Sequence, residues 1–239
     1  MFSIKKLRFE YVQTDDSENF TTCFNLDAYR GEILSVIGPS GSGKSSLLNL
    51  IAGFITASSG EISLDGKSIA QLDPADRPLS MVFQSHNLFP HLDVYTNVAL
   101  GINPSLKLDS TQKQSIESAL QKLGLQDMQQ RKPGQLSGGQ QQRVAIARVL
   151  VRKQPILLLD EAFAALGPAL RSELIETVVE LVEDNNMIAI MVSHQPDDAS
   201  KASKRTAFID NGRVIALQDT EQLLSDTSQP EILRYLGLR

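Results

Sequence analysis

The sequence predicts an α/β fold with a mainly parallel sheet, and three features of its apolar pattern carry this prediction. Short apolar runs at Ile33–Ile37, Ile156–Leu159 and Met187–Val192 have the length and composition of buried parallel strands. The helical pattern Leu170–Val182 separates the last two runs, and strands that alternate with helices favour a parallel sheet. Between residues 86 and 150 the apolar spacing is helical and β-branched runs disappear, which indicates a helical insertion.

We therefore expect one domain, with a core at 1–85 and 151–239 and a helical subdomain at 86–150. The N-terminal runs Ile4–Val12 and Thr21–Ala28 alternate apolar and polar residues, which predicts an antiparallel β-subdomain. Two further hairpins are predicted at the turns Asp65-Gly66 and Asn211-Gly212, and further helical segments at Ser45–Ala52 and Glu221–Tyr235.

Size and composition limit the possible classes of protein. A chain of 239 residues can bury a large core without disulfides, and the single cysteine, Cys23, cannot form one within the chain. The net charge of −5 does not favour nucleic acid as a partner. The longest apolar runs are far shorter than the roughly 20 residues needed to cross a bilayer, so we expect other chains to do so in any membrane process.

The loop after the first parallel strand fits the phosphate-binding pattern G-x-x-x-x-G-K-[ST] at every fixed position. Its glycines let successive N–H groups point at phosphate oxygens, and the following helix adds the positive end of its dipole. Lys44 would contact the β- and γ-phosphates, and the Ser45 hydroxyl can bind Mg²⁺. The alternative is a Gly/Ser-rich loop without a ligand. The predicted nucleotide contacts here are Gly38, Pro39, Ser40, Gly41, Ser42, Gly43, Lys44, Ser45 and Ser46.

An acidic pair, Asp160-Glu161, ends the apolar strand that begins at Ile156. The carboxyl edge of a parallel sheet is where ligands bind in open α/β folds. Asp160 would hold Mg²⁺, directly or through water, and Glu161 would orient or deprotonate the attacking water. The alternative is a strand end followed by a solvated acid pair.

The segment Leu136-Ser137-Gly138-Gly139-Gln140, followed by Gln142-Arg143, resembles the signature motif of ATP-binding cassette (ABC) proteins. This resemblance implies a phosphate-loop (RecA-like) hydrolase core that binds ATP and Mg²⁺. It also implies a head-to-tail dimer, in which the signature of one copy closes over ATP held by the other copy. Ser137, Gly138, Gly139 and Gln140 would then form a second anion site for the γ-phosphate.

Three more residues are matched to roles by the same resemblance. Gln84 corresponds to the glutamine that senses Mg²⁺ and water and links the core to the helical insertion. His194 corresponds to the switch histidine that contacts the γ-phosphate. Tyr11 is similar to the aromatic residue that stacks on adenine, with Phe9 as a neighbouring candidate. The predicted catalytic residues are therefore Glu161, His194 and Gln84, and the predicted metal ligands are Ser45, Gln84 and Asp160.

The sequence departs from the family pattern after the acidic pair. The family usually continues Pro-x-Ser-Ala-Leu-Asp, whereas this chain has Ala162, Ala164 and Gly167 at the positions of the proline, serine and aspartate. In the family, that aspartate bridges the two subunits at the nucleotide site. We expect weaker cooperation between the two sites and slower hydrolysis, with ATP binding largely intact.

The helical insertion indicates which transport process the protein takes part in. Gly101–Leu108 and the segments around it resemble the ATP-binding subunits of gamma-proteobacterial thiamine importers. This implies a permease and, indirectly, a periplasmic binding protein as partners, and a peripheral position on the cytoplasmic face of the inner membrane. Asn87–Val94 would contact a permease helix, although Leu88, Phe89 and Leu92 could instead be core residues. The alternatives are an importer of another small solute and a cytosolic, nucleotide-gated ABC ATPase without a permease.

Overall fold

The strands and helices of the protein follow the α/β pattern closely. A computed structural model describes residues 1–11, 20–83, 85, 87–226 and 228–238, without the side chains of Tyr11 and Phe20. The strands are β1 Phe2–Tyr11, β2 Phe20–Ala28, β3 Glu32–Ile37, β4 Ser59–Leu64, β5 Lys67–Ser68, β6 Leu79–Val82, β7 Ile156–Asp160, β8 Ile188–Val192, β9 Arg205–Asp210 and β10 Arg213–Asp219. The helices are α1 Lys44–Ala52, α2 Val94–Ala99, α3 Ser110–Lys122, α4 Gly138–Arg152, α5 Pro168–Asp184, α6 Pro196–Ala202, α7 Thr220–Leu224 and α8 Pro230–Leu236.

All ten strands form one mixed sheet in the order β5-β4-β1-β2-β10-β9-β3-β8-β7-β6. The half from β9 to β6 is parallel, whereas β5, β4, β1 and β2 pair antiparallel. The halves join where β2 meets β10 at the pair Cys23–Arg213, and Cys23 N–H also donates to Gly212 O at 2.8 Å. The predicted fold class, a parallel core with an N-terminal antiparallel part, is confirmed by this architecture and by the structural comparisons given below.

The parallel strands are mainly apolar because both of their faces are buried. Along β7, Ile156 and Leu158 pack in the cluster that contains α1, whereas Leu157 and Leu159 pack in the cluster that contains α4 and α5. Each fully buried side chain of this kind contributes about 1.5–3 kcal/mol. A strand buried on both faces cannot show the alternation of β1 and β2, which explains the two strand patterns of the sequence.

Between β6 and β7 the chain is helical, as the apolar spacing predicts. Helices α2, α3 and α4 lie here with two single turns of 3₁₀ helix, at Gln126–Met128 and Pro133–Gln135. Asp93 and Asp109 cap α2 and α3 by accepting hydrogen bonds from backbone N–H groups. None of the helices in the described part of the chain is long and apolar enough to cross a membrane.

The register of the parallel strands places their carboxyl ends side by side. Asp160 at the end of β7 pairs with Val192 at the end of β8, and Val36 in β3 pairs with Val192 from the other side. The loop after β3, the acidic pair after β7 and Ser193-His194 after β8 therefore leave the sheet at one edge.

Candidate active site

The phosphate loop wraps the start of α1 in a conformation that needs glycine. Gly38 has φ 149°, and a Cβ there would lie 2.0 Å from the carbonyl oxygen of Ile209. Gly43, the N-cap of α1, has φ 103° and offers no side-chain cap, so the first N–H groups of the helix keep their capacity to bind an anion. The β9–β10 turn supports the loop from behind, because Gly212 N–H donates to Ser42 O at 2.9 Å.

Lys44 lies folded onto the loop and is almost fully buried. Its Nζ donates to the carbonyl oxygens of Gly38 at 2.8 Å and Pro39 at 2.6 Å. Burial lowers the pKa of this ammonium, and the charges of Glu161 and Asp160 partly oppose the shift. A triphosphate would offer the ammonium anionic oxygens in addition to these two neutral acceptors, so the lysine favours an anionic ligand.

The oxygen atoms next to Lys44 suit a magnesium ion. Burial, followed by the charge of Glu161, raises the pKa of Asp160, and a hydrogen bond from the Ser45 side chain opposes that shift. Among the described residues, Asp160 Oδ1 and Ser42 Oγ are buried and have no hydrogen-bond partner. At the Ser45–Asp160 pair, a buried carboxylate oxygen without a partner matches the hard oxygen ligands of Mg²⁺. No cluster of three His, Cys, Asp or Glu side chains that could hold a metal occurs in the described ranges.

Glu161 and His194 contact each other at the same edge. His194 Nε2 lies against Glu161 Oε1, with the carboxylate mostly buried and the imidazole about half exposed. Glu161 has φ 47°, an unfavourable value for a residue with a side chain, and such strain costs about 1–3 kcal/mol. The Glu161 N–H donates to Val192 O at 3.1 Å and its carbonyl accepts from Ala164 N–H at 3.1 Å, and these bonds hold the turn that places the carboxylate beside His194.

The signature segment begins α4. Ser137 is the N-cap: its Oγ accepts from Gln140 N–H at 3.3 Å, and Gln140 Oε1 accepts from Ser137 N–H at 2.9 Å. Gly138 is exposed with open space around it, whereas a Cβ at Gly139 would lie 2.2 Å from a Leu170 methyl carbon. Glycine is therefore needed at these two positions for different reasons. Gly139 lets α4 approach the start of α5, and Gly138 leaves the helix start open on its outer side.

Two of the predicted residues are not described at the site. Gln84 and the Tyr11 side chain lie outside the described part of the chain, although β1 reaches Tyr11 and β6 ends at Val82, two residues before Gln84. The other aromatic candidate, Phe9, is half buried against the cluster that contains α1. Ser40 lies on the phosphate loop and Ser46 in the first turn of α1, as the motif requires.

Sequence reasoning missed several buried or partly buried polar residues around the site. Arg171 and Asp198 form a buried ion pair between α5 and α6, and Tyr235 in α8 donates to the carbonyl of His194 at 2.9 Å. Asn97 in α2 is fully buried and bonds the backbone of the loop before it. A signal existed for Arg171, because it lies one helical turn before the buried Leu174 and so on the apolar face of α5.

Fold and site together define a phosphate-loop nucleotide hydrolase. An anion-binding loop opens a helix at the carboxyl edge of a parallel sheet, and a Mg²⁺-compatible carboxylate and a second acid lie next to it. The sequence matches the family described as "ABC transporter" over residues 22–164. The chain belongs to this family, and the resemblance to ABC proteins is thereby confirmed.

Similar proteins cover nearly the whole chain. It is 46% identical over 240 residues to the thiamine import ATP-binding protein ThiQ of Photobacterium profundum, which covers 99% of this chain and 100% of that protein. The protein of the same name from Brucella suis is 47% identical, over 98% of this chain and 95% of its own length. A dimeric post-hydrolysis structure of the ATP-binding cassette MJ0796 with ADP and phosphate has a TM-score of 0.80 at 30% identity, over 92% of this chain and 99% of that one. The structure of cbiO1 from Clostridium perfringens, part of the ABC transporter complex cbiONQ, has a TM-score of 0.83 at 28% identity, over 100% of this chain and 94% of that one.

Proposed function

We propose that this chain hydrolyses ATP to power the import of thiamine and its phosphate esters. The observation that carries the enzymatic part is the convergence of Lys44, Asp160 and Glu161 at one sheet edge: the charges of Glu161 and Asp160 act on the Lys44 ammonium, and the charge of Glu161 acts on the Asp160 carboxylate. The substrate is supported by the relatives, which are 46–47% identical over nearly the full chain and are named for thiamine import.

Each residue of the site has its own role in the proposed hydrolysis reaction. The phosphate loop holds the triphosphate, and Lys44 neutralises charge on the β- and γ-phosphates. Glu161 orients a water and takes up one of its protons as the water oxygen attacks the γ-phosphorus, while the bond to the β-γ bridging oxygen breaks and ADP leaves. His194 leaves its contact with Glu161 and donates to the γ-phosphate. Bound Mg²⁺, held through Ser45, Asp160 and Gln84, would supply further neutralisation of phosphate charge.

The complete site would take two copies of the chain, arranged head to tail. The signature segment, Ser137, Gly138, Gly139 and Gln140, presents a helix start whose outer side is open, as an anion site for another molecule requires. The MJ0796 cassette, a relative in fold at 30% identity, is dimeric in its post-hydrolysis state. ATP would hold the two copies together, and its hydrolysis would release them.

A groove beside β6 would receive a cytoplasmic helix of the permease. It encloses about 510 Å³ and is lined by apolar residues of both chain parts, with Arg148 and Arg152 among the lining residues. Phe54, 56% exposed, stacks on Phe83 at the mouth, with ring centroids 6.2 Å apart. Exposed aromatic rings next to an apolar groove are typical of a docking site for an amphipathic helix.

The segment 87–94 would form the second part of this docking surface. Leu88 packs against the core, whereas Phe89 is 45% exposed and lies edge-on to His91. Asn97 fixes the segment from below: its side chain accepts from Phe89 N–H and donates to the carbonyl oxygens of Phe89, Leu92 and Asp93. The core at 1–85 and 151–239 and the helical subdomain at 86–150 would thus meet where the permease binds, next to Gln84.

The remaining partners and the location follow from the importer assignment. The permease would hold the chain at the cytoplasmic face of the inner membrane as a peripheral subunit. A periplasmic binding protein would deliver the solute to the permease on the other side, so it would affect this chain only indirectly. Nucleic acid has no place in this scheme.

The test is ATP hydrolysis by the chain bound to its permease in proteoliposomes, measured as phosphate release. We expect release to be stimulated by thiamine-loaded binding protein, and Glu161→Gln to reduce it by about 100-fold or more while ATP still binds. Asp197→Asn, on the exposed start of α6, is the matched acid-to-amide control and should leave turnover unchanged.

Each alternative has its own outcome. Equal rates for wild type and Glu161→Gln would show a nucleotide-gated subunit that does not hydrolyse ATP at this site. Stimulation by another solute but not by thiamine would show that the transported substrate is not thiamine, while the assignment as an ATPase would still hold. Failure to bind any permease, with hydrolysis intact, would indicate a cytosolic ATPase.

A further inference from the structure

The backbone around His194 is held by side chains from three helices, α5, α6 and α8, and by Ser193 in the turn after β8. We name the set Arg171, Ser193, Asp198 and Tyr235 the His194 brace. Arg171 and Asp198 form a two-pronged ion pair, in which Arg171 Nε donates to Asp198 Oδ1 at 2.7 Å. Ser193 Oγ donates to Asp198 Oδ2 at 2.5 Å and accepts from Gln195 N–H at 3.0 Å. Arg171, Ser193 and Asp198 are all less than one-tenth exposed.

The fourth member approaches His194 from the other side. Tyr235 Oη donates to the carbonyl oxygen of His194 at 2.9 Å, and its ring packs edge-on against Phe208 with centroids 5.5 Å apart. Burial raises the pKa of this phenol, and a hydrogen bond from the Gly38 backbone partly opposes the shift. The hydroxyl that bonds the backbone of His194 is thus also influenced by the backbone of the first residue of the phosphate loop.

The brace lies where it can fix the two acid–base candidates relative to each other. Glu161 follows β7 and His194 follows β8, and these strands pair directly at Asp160 and Val192. Beyond the strand ends, the two chain segments continue into α5 and α6. The Arg171–Asp198 ion pair joins these two helices. Ser193, the residue just before His194, donates a hydrogen bond to the same Asp198 carboxylate.

We infer that the His194 brace positions the His194 imidazole for catalysis, and that its two hydroxyls, on Ser193 and Tyr235, are positioning groups that act through His194. This inference rests on the proposed ATPase function. His194 is about half exposed, so packing of the ring alone does not fix it. Its direction depends on the backbone on either side, and the brace bonds that backbone at the N–H of the next residue, Gln195, and at the carbonyl of His194 itself. A displacement of a catalytic group by about 1 Å can cost on the order of 100-fold in rate.

The test deletes one hydroxyl at a time in the full chain. We expect Tyr235→Phe and Ser193→Ala each to lower kcat about tenfold, with KM for ATP and the nucleotide-induced shift in Tm unchanged within experimental scatter. Ser193→Thr keeps the hydroxyl and should restore kcat to near wild type. Tyr95→Phe in α2 and Ser115→Ala in α3 remove hydroxyls elsewhere and serve as matched controls.

A double-mutant cycle with His194→Ala separates positioning from simple stabilisation. If the hydroxyls act through His194, their deletion has no further effect on kcat once the imidazole is gone. Equal losses of kcat in the wild-type and His194→Ala backgrounds would overturn the inference, as would a lower Tm with kcat unchanged. Failure of the proposed function gives a different result, because Glu161→Gln would then leave hydrolysis unchanged in every background.

Discussion

The two ends of helix α1 treat their polar groups in opposite ways. At the N-terminus, Gly43 supplies no cap, Ser42 Oγ has no partner among the described residues, and the Lys44 ammonium bonds only to two backbone carbonyls of the loop. At the C-terminus, the buried Arg77 donates to the carbonyl oxygens of Leu50 and Ile51 at 2.7 and 2.6 Å. The helix is therefore left open at one end and closed at the other.

This difference separates binding from stability within a single helix. Buried polar groups cost free energy when they lack partners, so native proteins keep them mainly where a ligand will supply the partner. The open end thus marks a ligand site, while the closed end holds α1 against the core. Changes at the open end should alter nucleotide binding without lowering stability, and changes at the closed end should lower stability without altering nucleotide binding.

The largest expected effect is on activity, from Lys44→Met at the open end. The thioether chain keeps the packing of the buried stem but removes the charge that neutralises phosphate. We expect ATP hydrolysis to fall by about 100-fold or more. The wild type at 100 times its Kd should gain about 2.7 kcal/mol from ATP, and the variant should lose this gain. Phosphate release and thermal unfolding with and without MgATP measure both quantities. An undiminished thermal shift would contradict an open, anion-binding helix end.

The largest expected effect on stability comes from Arg77→Met at the closed end. Besides the last carbonyls of α1, Arg77 donates to Ala70 O and Leu72 O, and all four acceptors would lose a charged donor. We expect a loss of about 3 kcal/mol, or roughly 6–12 °C in Tm. Arg77→Lys should lie between the two. Affinity for ATP, measured well below the lower Tm, should stay unchanged, and a loss of affinity at that temperature would show that the two ends are coupled.

Asp160→Asn should give a smaller change of opposite sign at the open end. Burial and the charge of Glu161 raise the pKa of Asp160, so the ionised form is disfavoured in the folded, nucleotide-free protein. The neutral amide should raise the free energy of unfolding by about 1 kcal/mol and remove the Mg²⁺ dependence of ATP binding. A more stable but inactive variant is the expected result.

The raised pKa of Asp160 also predicts how the stability difference between the wild type and Asp160→Asn changes with pH. With a raised folded pKa, wild-type Asp160 carries no penalty below its ordinary value of 3.8, because it is protonated in both states. As the pH rises through the raised folded pKa, the wild type loses stability relative to Asp160→Asn, and above it the gap is constant. Denaturant unfolding of both chains across this range measures the gap. A gap that narrows with rising pH would contradict the assignment.

The sequence predicted the open end and not the closed one, for a physical reason. A phosphate loop needs fixed residue types at fixed spacing, so Gly38, Lys44 and Ser45 can be identified from the chain alone. Arg77 acts through four carbonyls that lie 5–27 residues away along the chain, and any fold could supply such acceptors. The strands were predictable because burial on one or both faces leaves a pattern, whereas the Arg171–Asp198 pair depends on how α5 and α6 pack.

The smallest expected effect concerns a third helix end, the start of α5. Its N-cap, Gly167, has no side-chain cap, as at Gly43, but its φ of −65° and the open space around it would accept any side chain. Gly167→Asp should therefore cap α5 and add a few tenths of a kcal/mol to stability. It should also raise steady-state ATPase, because the carboxylate restores the family's bridge between subunits. Gly167→Ser, a cap without charge, is the control. If both variants gain the same stability and neither changes turnover, the start of α5 merely lacks a cap. An uncapped helix start then marks a ligand site only where buried polar atoms also lack partners, as they do at α1.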